Sequence, residues 1–507
     1  MRFRFSKRAV LMLGVMSFAA FLLGNQYFSQ PRVLAVGEVP IAFWAWRTGA
    51  PSEAEINKAF AATKAQTLFL RAGQFDLASG ALQRIRPVSG QLPASVEVHL
   101  VYNGTRLFLR AWEQLEPSAI AASVADTFRA DLVRANNDHA RVIGLQLDFD
   151  APTRLLPQYA RTLQRLRELL PPNTKLSITG LPTWAYSHDL KAVLAVVDFW
   201  IPQCYGTNIP THLSQRIPIS SPSDVARTIR QMRQLDKPFY AGLSAYSYAI
   251  LYANDGGLLE LRGDLDPAWA AHNTSLELIE RQTFKGEAST SEMRYVYRAK
   301  SEVVLDGWII KAGESLVFDL PSAESLRACA RAVREHAGEQ LLGICVFRVP
   351  MANDETTLST GEIAAALTDT PTKIATAITL QLSADRQLQL RAENTGTASA
   401  MLREGALTID LSIPIGSLNG VTRSTGFSSY ETLCRLPGDD EPRPCSERRA
   451  NVLRLNARAW KPDDVAAMAF AMKVALPATL SAVMTTHVND GRIEREQIEL
   501  QIQNSEK

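Results

Sequence analysis

Two aspartates stand two residues apart at the end of the run Val142-Ile-Gly-Leu-Gln-Leu-Asp-Phe-Asp150. In an extended strand Asp148 and Asp150 lie on one face, about 6–7 Å apart along the chain. Two carboxyl groups so close in a partly dry cup cannot both ionise easily, so one pKa should rise. A protonated acid beside an ionised carboxylate is what cleavage of a glycosidic bond needs. The plainer reading of the same residues is hydrogen bonding to loops with no ligand at all. Aromatic residues accompany the pair at the predicted strand ends: Trp44, Trp184, Tyr205 and Tyr246. Flat apolar faces at a pocket mouth suit stacking on sugar rings, and the amides of Asn103 and Gln203 suit reading hydroxyls. For Trp46 and Trp200 packing into the core is the preferred reading.

The elements that must position these groups follow from hydropathy. Ile143, Leu145, Leu147 and Phe149 alternate with Gly144, Gln146, Asp148 and Asp150, a period of two with one wholly apolar face. Similar strands are predicted at 40–46, 66–72, 96–102, 175–179, 197–201, 239–245 and 341–347. Helical stretches separate them. Leu156, Tyr159, Leu163, Leu166 and Leu170 form one stripe at helical spacing. Eight strands alternating with helices predict an α/β fold, a TIM (β/α)8 barrel whose polar strand tips face the active-site cup. An insertion at about 248–320, with strand-like runs at 293–298 and 308–312, separates strands seven and eight. After Thr368-Asp-Thr-Pro-Thr372 the pattern turns to short alternating strands with turn signals, which predict a small antiparallel β-sandwich. The expected division is 1–35, 36–368 for the barrel and 369–507 for the sandwich.

Composition narrows the function. Of 507 residues 46% are hydrophobic and 21% charged, with net charge +2, so nothing favours a nucleic-acid partner. Arg2, Arg4, Lys7 and Arg8 precede an apolar run from Ala9 to Gly24, the pattern of a signal peptide or a single N-terminal anchor. Export is expected, with the body in the periplasm, free or tethered to the membrane. Among five cysteines, Cys434 and Cys445 bracket a polar, proline-rich loop and are the candidate disulfide, while Cys204 and Cys345 read as small core residues. No cysteine or histidine spacing predicts a metal site, no cofactor is expected, and no glycine-rich phosphate loop follows any strand.

The strand Ile143-Gly-Leu-Gln-Leu-Asp-Phe-Asp150 resembles the fourth-strand signature of family-18 glycoside hydrolases, the chitinase type, whose pattern is Asp-Gly-apolar-Asp-apolar-Asp-aromatic-Glu. Gly144, Asp148 and Phe149 match in register. Ile143 and Gln146 stand where that family has Asp, and Asp150 where it has the catalytic Glu. Gln203-Cys-Tyr205-Gly206 resembles the family's Met-x-Tyr-Asp, and Phe347 stands where the family has Trp. The chain also resembles a group of uncharacterised bacterial exported proteins, a domain of unknown function, that carry the Leu-Asp-Phe-Asp strand. The resemblance implies a barrel acting on a polysaccharide or amino-sugar glycan. Asp150 would be the general acid, Asp148 its electrostatic partner and Tyr205 an orienter. Trp44, Asn103, Gln146, Trp184, Gln203, Tyr246 and Phe347 would contact the substrate. The alternative is a barrel that no longer catalyses, binding glycan or serving in cell-envelope assembly. An Asp at 150 is one methylene shorter than Glu, and this leaves the two readings open. Asp76 and Asp354-Glu355 are further candidate carboxylates.

Overall fold

The computed structural model describes residues 32–504 apart from 78–79, 264, 266, 288–290, 306, 352–353, 437 and 439–440. The expected targeting segment lies almost wholly outside the described residues. Eight parallel strands form the first half: β1 (Ile41–Ala45), β2 (Thr67–Asp76), β3 (Glu97–Gly104), β4 (Arg141–Asp148), β5 (Lys175–Gly180), β6 (Phe199–Pro202), β7 (Phe239–Ser244) and β8 (Leu341–Phe347). Each pairs with the next, and β1 pairs with both β2 and β8, so the sheet closes into a barrel. Helices are started by side chains that accept the first free amides. Ser52 and Ser359 form capping boxes with Glu55 and Glu362, and Thr105, Ser221 and Ser322 cap three others.

Period-two alternation divides the barrel residues into two cores. Leu145, Leu147 and Phe149 face outward with Tyr159, Leu163 and Leu166 of the helix Leu156–Leu169. Inside lie Ala42, Trp44, Phe69, Val101, Ile201 and Cys345, which pack together as a second core. The lower layer stacks Phe69 on His99 at 4.8 Å, with Phe199 and Tyr240 against them. Burial lowers the His99 pKa to about 3, so it is a neutral core residue. Glycine is required where the filling is widest. A Cβ on Gly242 would meet the Pro202 carbonyl at 2.8 Å and the Trp44 ring at 3.1 Å.

The insertion between β7 and β8 is a five-stranded antiparallel sheet, in the order 258–262, 249–252, 315–320, 291–299 and 276–285, with a separate hairpin of Val303–Leu305 and Trp308–Ile310. Beyond the helix Thr360–Leu367 the chain is mainly antiparallel β around one core that includes Leu390, Ile409, Leu455, Phe470 and Met484. The last strand, Ile493–Asn504, pairs antiparallel with Thr479–His487 and then parallel with Thr376–Leu382, and so links the two sheets of a sandwich. Cys434 and Cys445 are joined in a disulfide, and Cys204, Cys329 and Cys345 are buried thiols.

Candidate active site

The carboxylates lie at the C-terminal ends of the barrel strands. Asp148 is the last residue of β4 and points inward, 8% exposed, where the Thr179 hydroxyl of β5 donates to its Oδ1 at 2.6 Å. Burial raises its pKa to about 6, while the Thr179 hydroxyl and the Arg71 guanidinium pull the other way. Asp150, two residues beyond the strand end, is raised further, to about 8, by burial and then by the charge of Asp148. Its surface remains open to solvent although protein surrounds it on the other sides. The pair shares a proton near neutrality, with the buried, hydrogen-bonded Asp148 as the ionised member and Asp150 as the acid.

Tyr205, just beyond β6, completes the group. Burial raises its hydroxyl pKa well above the usual range, and Tyr246, Asp148 and Asp150 add to the shift. Its ring meets Phe347 at 6.0 Å and Tyr246 at 6.4 Å. Phe347 closes this aromatic wall, 4.7 Å from Tyr246 and 5.5 Å from Trp46.

A cavity of about 740 Å³ opens at the barrel mouth; Asp148, Asp150 and Tyr205 are not among its described lining residues, but Asn103, the strand partner of Asp148, is. Asn103, Tyr246, Phe347 and Trp46 line it, together with Arg71, whose Nε donates to Asn103 Oδ1 at 3.1 Å. Trp46, for which core packing was the preferred reading, therefore faces the cavity with Arg71 stacked 5.9 Å above its ring. Gln203 is half-buried at the end of β6 and bridges to Gly242, outside the cavity lining.

Three expected contacts lie elsewhere. Trp44 is 1% exposed and spans the barrel interior, its Nε1 donating to Gln146 Oε1 at 2.8 Å. Gln146 is fully buried and spends its other group on Ser177, so both residues form the floor below the site. Trp184 is 1% exposed in the outer core, donating to the Ala151 carbonyl and packing edge-on against Tyr159. No sugar ring can reach these two indoles. Trp200 is also buried in the outer core.

The further candidate carboxylates are committed elsewhere. Asp76 accepts from Thr105. Asp354 is held well below the usual carboxylate range by Arg348 and Arg47 against the opposing effect of its burial. Glu355 pairs with Lys461 at 2.9 Å.

The hydropathy reading missed the arginines. Arg71 shares inward parity with Phe69, so the period of β2 held the signal. Arg86 and Arg262 lie on segments far from β4 in sequence, and no local pattern marks them.

A family model described as "Domain of unknown function (DUF3142)" matches residues 109–266, from the segment before β4 into the insertion. No curated protein matches. Solved structures similar to this chain include a chitinase from Chromobacterium violaceum, at 15% identity over 65% of this chain and 98% of its own, with a TM-score of 0.42. The spore cortex-lytic enzyme SleL of Bacillus cereus matches at 14% identity over 66% of this chain and 74% of its own, TM-score 0.41. A family-18 N-acetylglucosaminidase from Paenibacillus barengoltzii matches at 14% identity over 66% and 99%, TM-score 0.39.

Proposed function

We propose that this protein is a glycoside hydrolase that acts on a glycan at the C-terminal mouth of its barrel. The observation that carries this reading is the Asp148–Asp150 pair. Two carboxyl groups at one strand end have unequal environments: burial raises both, but Asp148 is hydrogen-bonded and near a guanidinium, while Asp150 is pushed further toward its acid form. Asp150 donates its proton to the glycosidic oxygen as the bond to the anomeric carbon breaks, and later takes a proton from the attacking water. The Asp148 carboxylate stabilises the positive charge that grows on the sugar. Tyr205, kept protonated by its surroundings, donates a hydrogen bond that orients the reacting ring. On an amino sugar, Asp148 and Tyr205 would orient the acetamido group as internal nucleophile.

Export completes the proposal: the segment before residue 36 serves as signal or anchor, and the Cys434–Cys445 disulfide suits an oxidising compartment.

The test is product formation on a panel of oligosaccharides. Asp150→Asn should lose about 10²- to 10⁴-fold in turnover while retaining binding. Full activity in Asp150→Asn would exclude it as the acid. One observation favours the second reading, a barrel that only binds. Among the described residues no hydrogen bond fixes the Asp150 carboxyl, which stands on a shorter side chain than Glu. Binding with no product from wild type would decide for that reading.

A further inference from the structure

The cavity at the barrel mouth is lined by five arginines: Arg47, Arg71, Arg86, Arg262 and Arg348. Among its described lining residues there is no carboxylate. A neutral glycan is recognised by hydroxyl-reading polar groups and aromatic faces, and a concentration of five guanidinium groups exceeds what that recognition requires. The arginines do not all have the same task. Arg348 is 3% exposed and, with Arg47, grips Asp354, so these two build the wall. Arg71 bonds Asn103 and lies near Asp148. Arg86 is exposed and forms no ion pair among the described residues. The insertion contributes Arg262, whose guanidinium lies 5.4 Å over the Trp308 ring, and Trp269, an indole 48% exposed in the lining of the same cavity. An exposed indole and planar guanidinium groups lining one cavity offer a ring platform and oxyanion donors in one cleft.

We propose that this cleft selects an acidic glycan, seating a sugar ring on Trp269 while Arg86 binds carboxylate or sulfate groups carried on the rings and Arg262 adds its positive charge to the same cleft. The inference rests on the glycan reading of the site and names its substrate class. The insertion is then the specificity element, since it brings one cation and the platform to a barrel that supplies the rest. Placement of the cations also protects the chemistry. An anionic substituent held by arginines is neutralised before it meets Asp148, whose carboxylate would otherwise repel it.

The experiment is calorimetric titration of the full chain with short oligosaccharides of matched length: an oligogalacturonate, a sulfated dextran fragment and a chito-oligosaccharide. The acidic ligands should bind more tightly than the neutral one, and added salt should weaken only the acidic ones. Preference between the first two identifies carboxylate or sulfate as the group read. Arg86→Gln should cost about tenfold in affinity for the acidic ligand and nothing for the neutral one, with Arg86→Lys recovering part of the loss. Trp269→Ala should weaken every ligand that binds. The proposal is overturned if the neutral ligand binds as tightly as the acidic ones, if neither acidic ligand binds, or if Arg86→Gln and Arg262→Gln both leave acidic affinity intact. The titrations are repeated on Asp150→Asn, which separates the two readings. Acidic binding without cleavage by wild type keeps this inference and removes the hydrolase. Cleavage of a neutral glycan without acidic binding does the reverse.

Discussion

At the scale of single residues, the site depends on two aspartates having different surroundings. If Asp150 is the acid and Asp148 the carboxylate, turnover requires pH below the upper value and above the lower one. A rate profile should therefore peak between about 6 and about 8 and fall on both sides. A profile flat from pH 5 to 9 would contradict the assignment. Stability supplies a second readout. Asp148 has a folded pKa above its ordinary value of 3.8, so the folded state holds this proton more tightly than the unfolded chain. The stability so contributed is complete below about pH 4 and is lost as pH rises through about 6. Asp148→Asn should match wild type in the acid range and exceed it by ~1–3 kcal/mol at pH 8, read as denaturation midpoints at both pH values.

At the scale of elements, the barrel interior is a stack of inward residues whose sizes must sum correctly. Trp44 reaches across from β1 because β7 presents Gly242 there and β4 presents Gln146 to its indole nitrogen. Gly242→Ala would push a methyl group against the Pro202 carbonyl and the indole at once. A loss of about 1–3 kcal/mol is expected by thermal or chemical denaturation, with reduced turnover, because the displaced floor carries the strand tips above it. Trp44 and Trp184 show what strand-end position does not tell. Both were candidates for sugar contact, yet one faces the filled interior below the site and the other the helix layer. Parity along a strand distinguishes inside from outside. Depth within the barrel depends on the stagger of neighbouring strands, which no single strand encodes.

At the scale of the whole molecule, the sandwich is joined to the barrel by polar contacts as well as packing. Glu362 caps its own helix at Ser359 and also accepts from the Ser399 backbone amide at 3.1 Å and hydroxyl at 2.8 Å. Lys461 of the sandwich pairs with Glu355 and donates to the Asp354 carbonyl, close to the arginine–Asp354 wall of the cleft. Glu362→Ala removes the cap and the bridge together. It should cost about 1–3 kcal/mol and separate the melting of the two parts in a calorimetric scan. A single unshifted transition would show that apolar packing alone couples them.

The sequence by itself determined the local events. Alternating apolar residues specified the eight barrel strands, the Asp148–Asp150 face and the change to antiparallel β after residue 372, because each is a periodicity within one segment. Cys434 and Cys445 were legible for the same reason, lying on either side of one loop. Tertiary structure alone decided which groups share a space. Five arginines from β2, the loops after β1 and β8, the segment before β3 and the insertion converge on one cavity. Closure of a barrel sums contributions from the whole chain, and no window of sequence contains that sum.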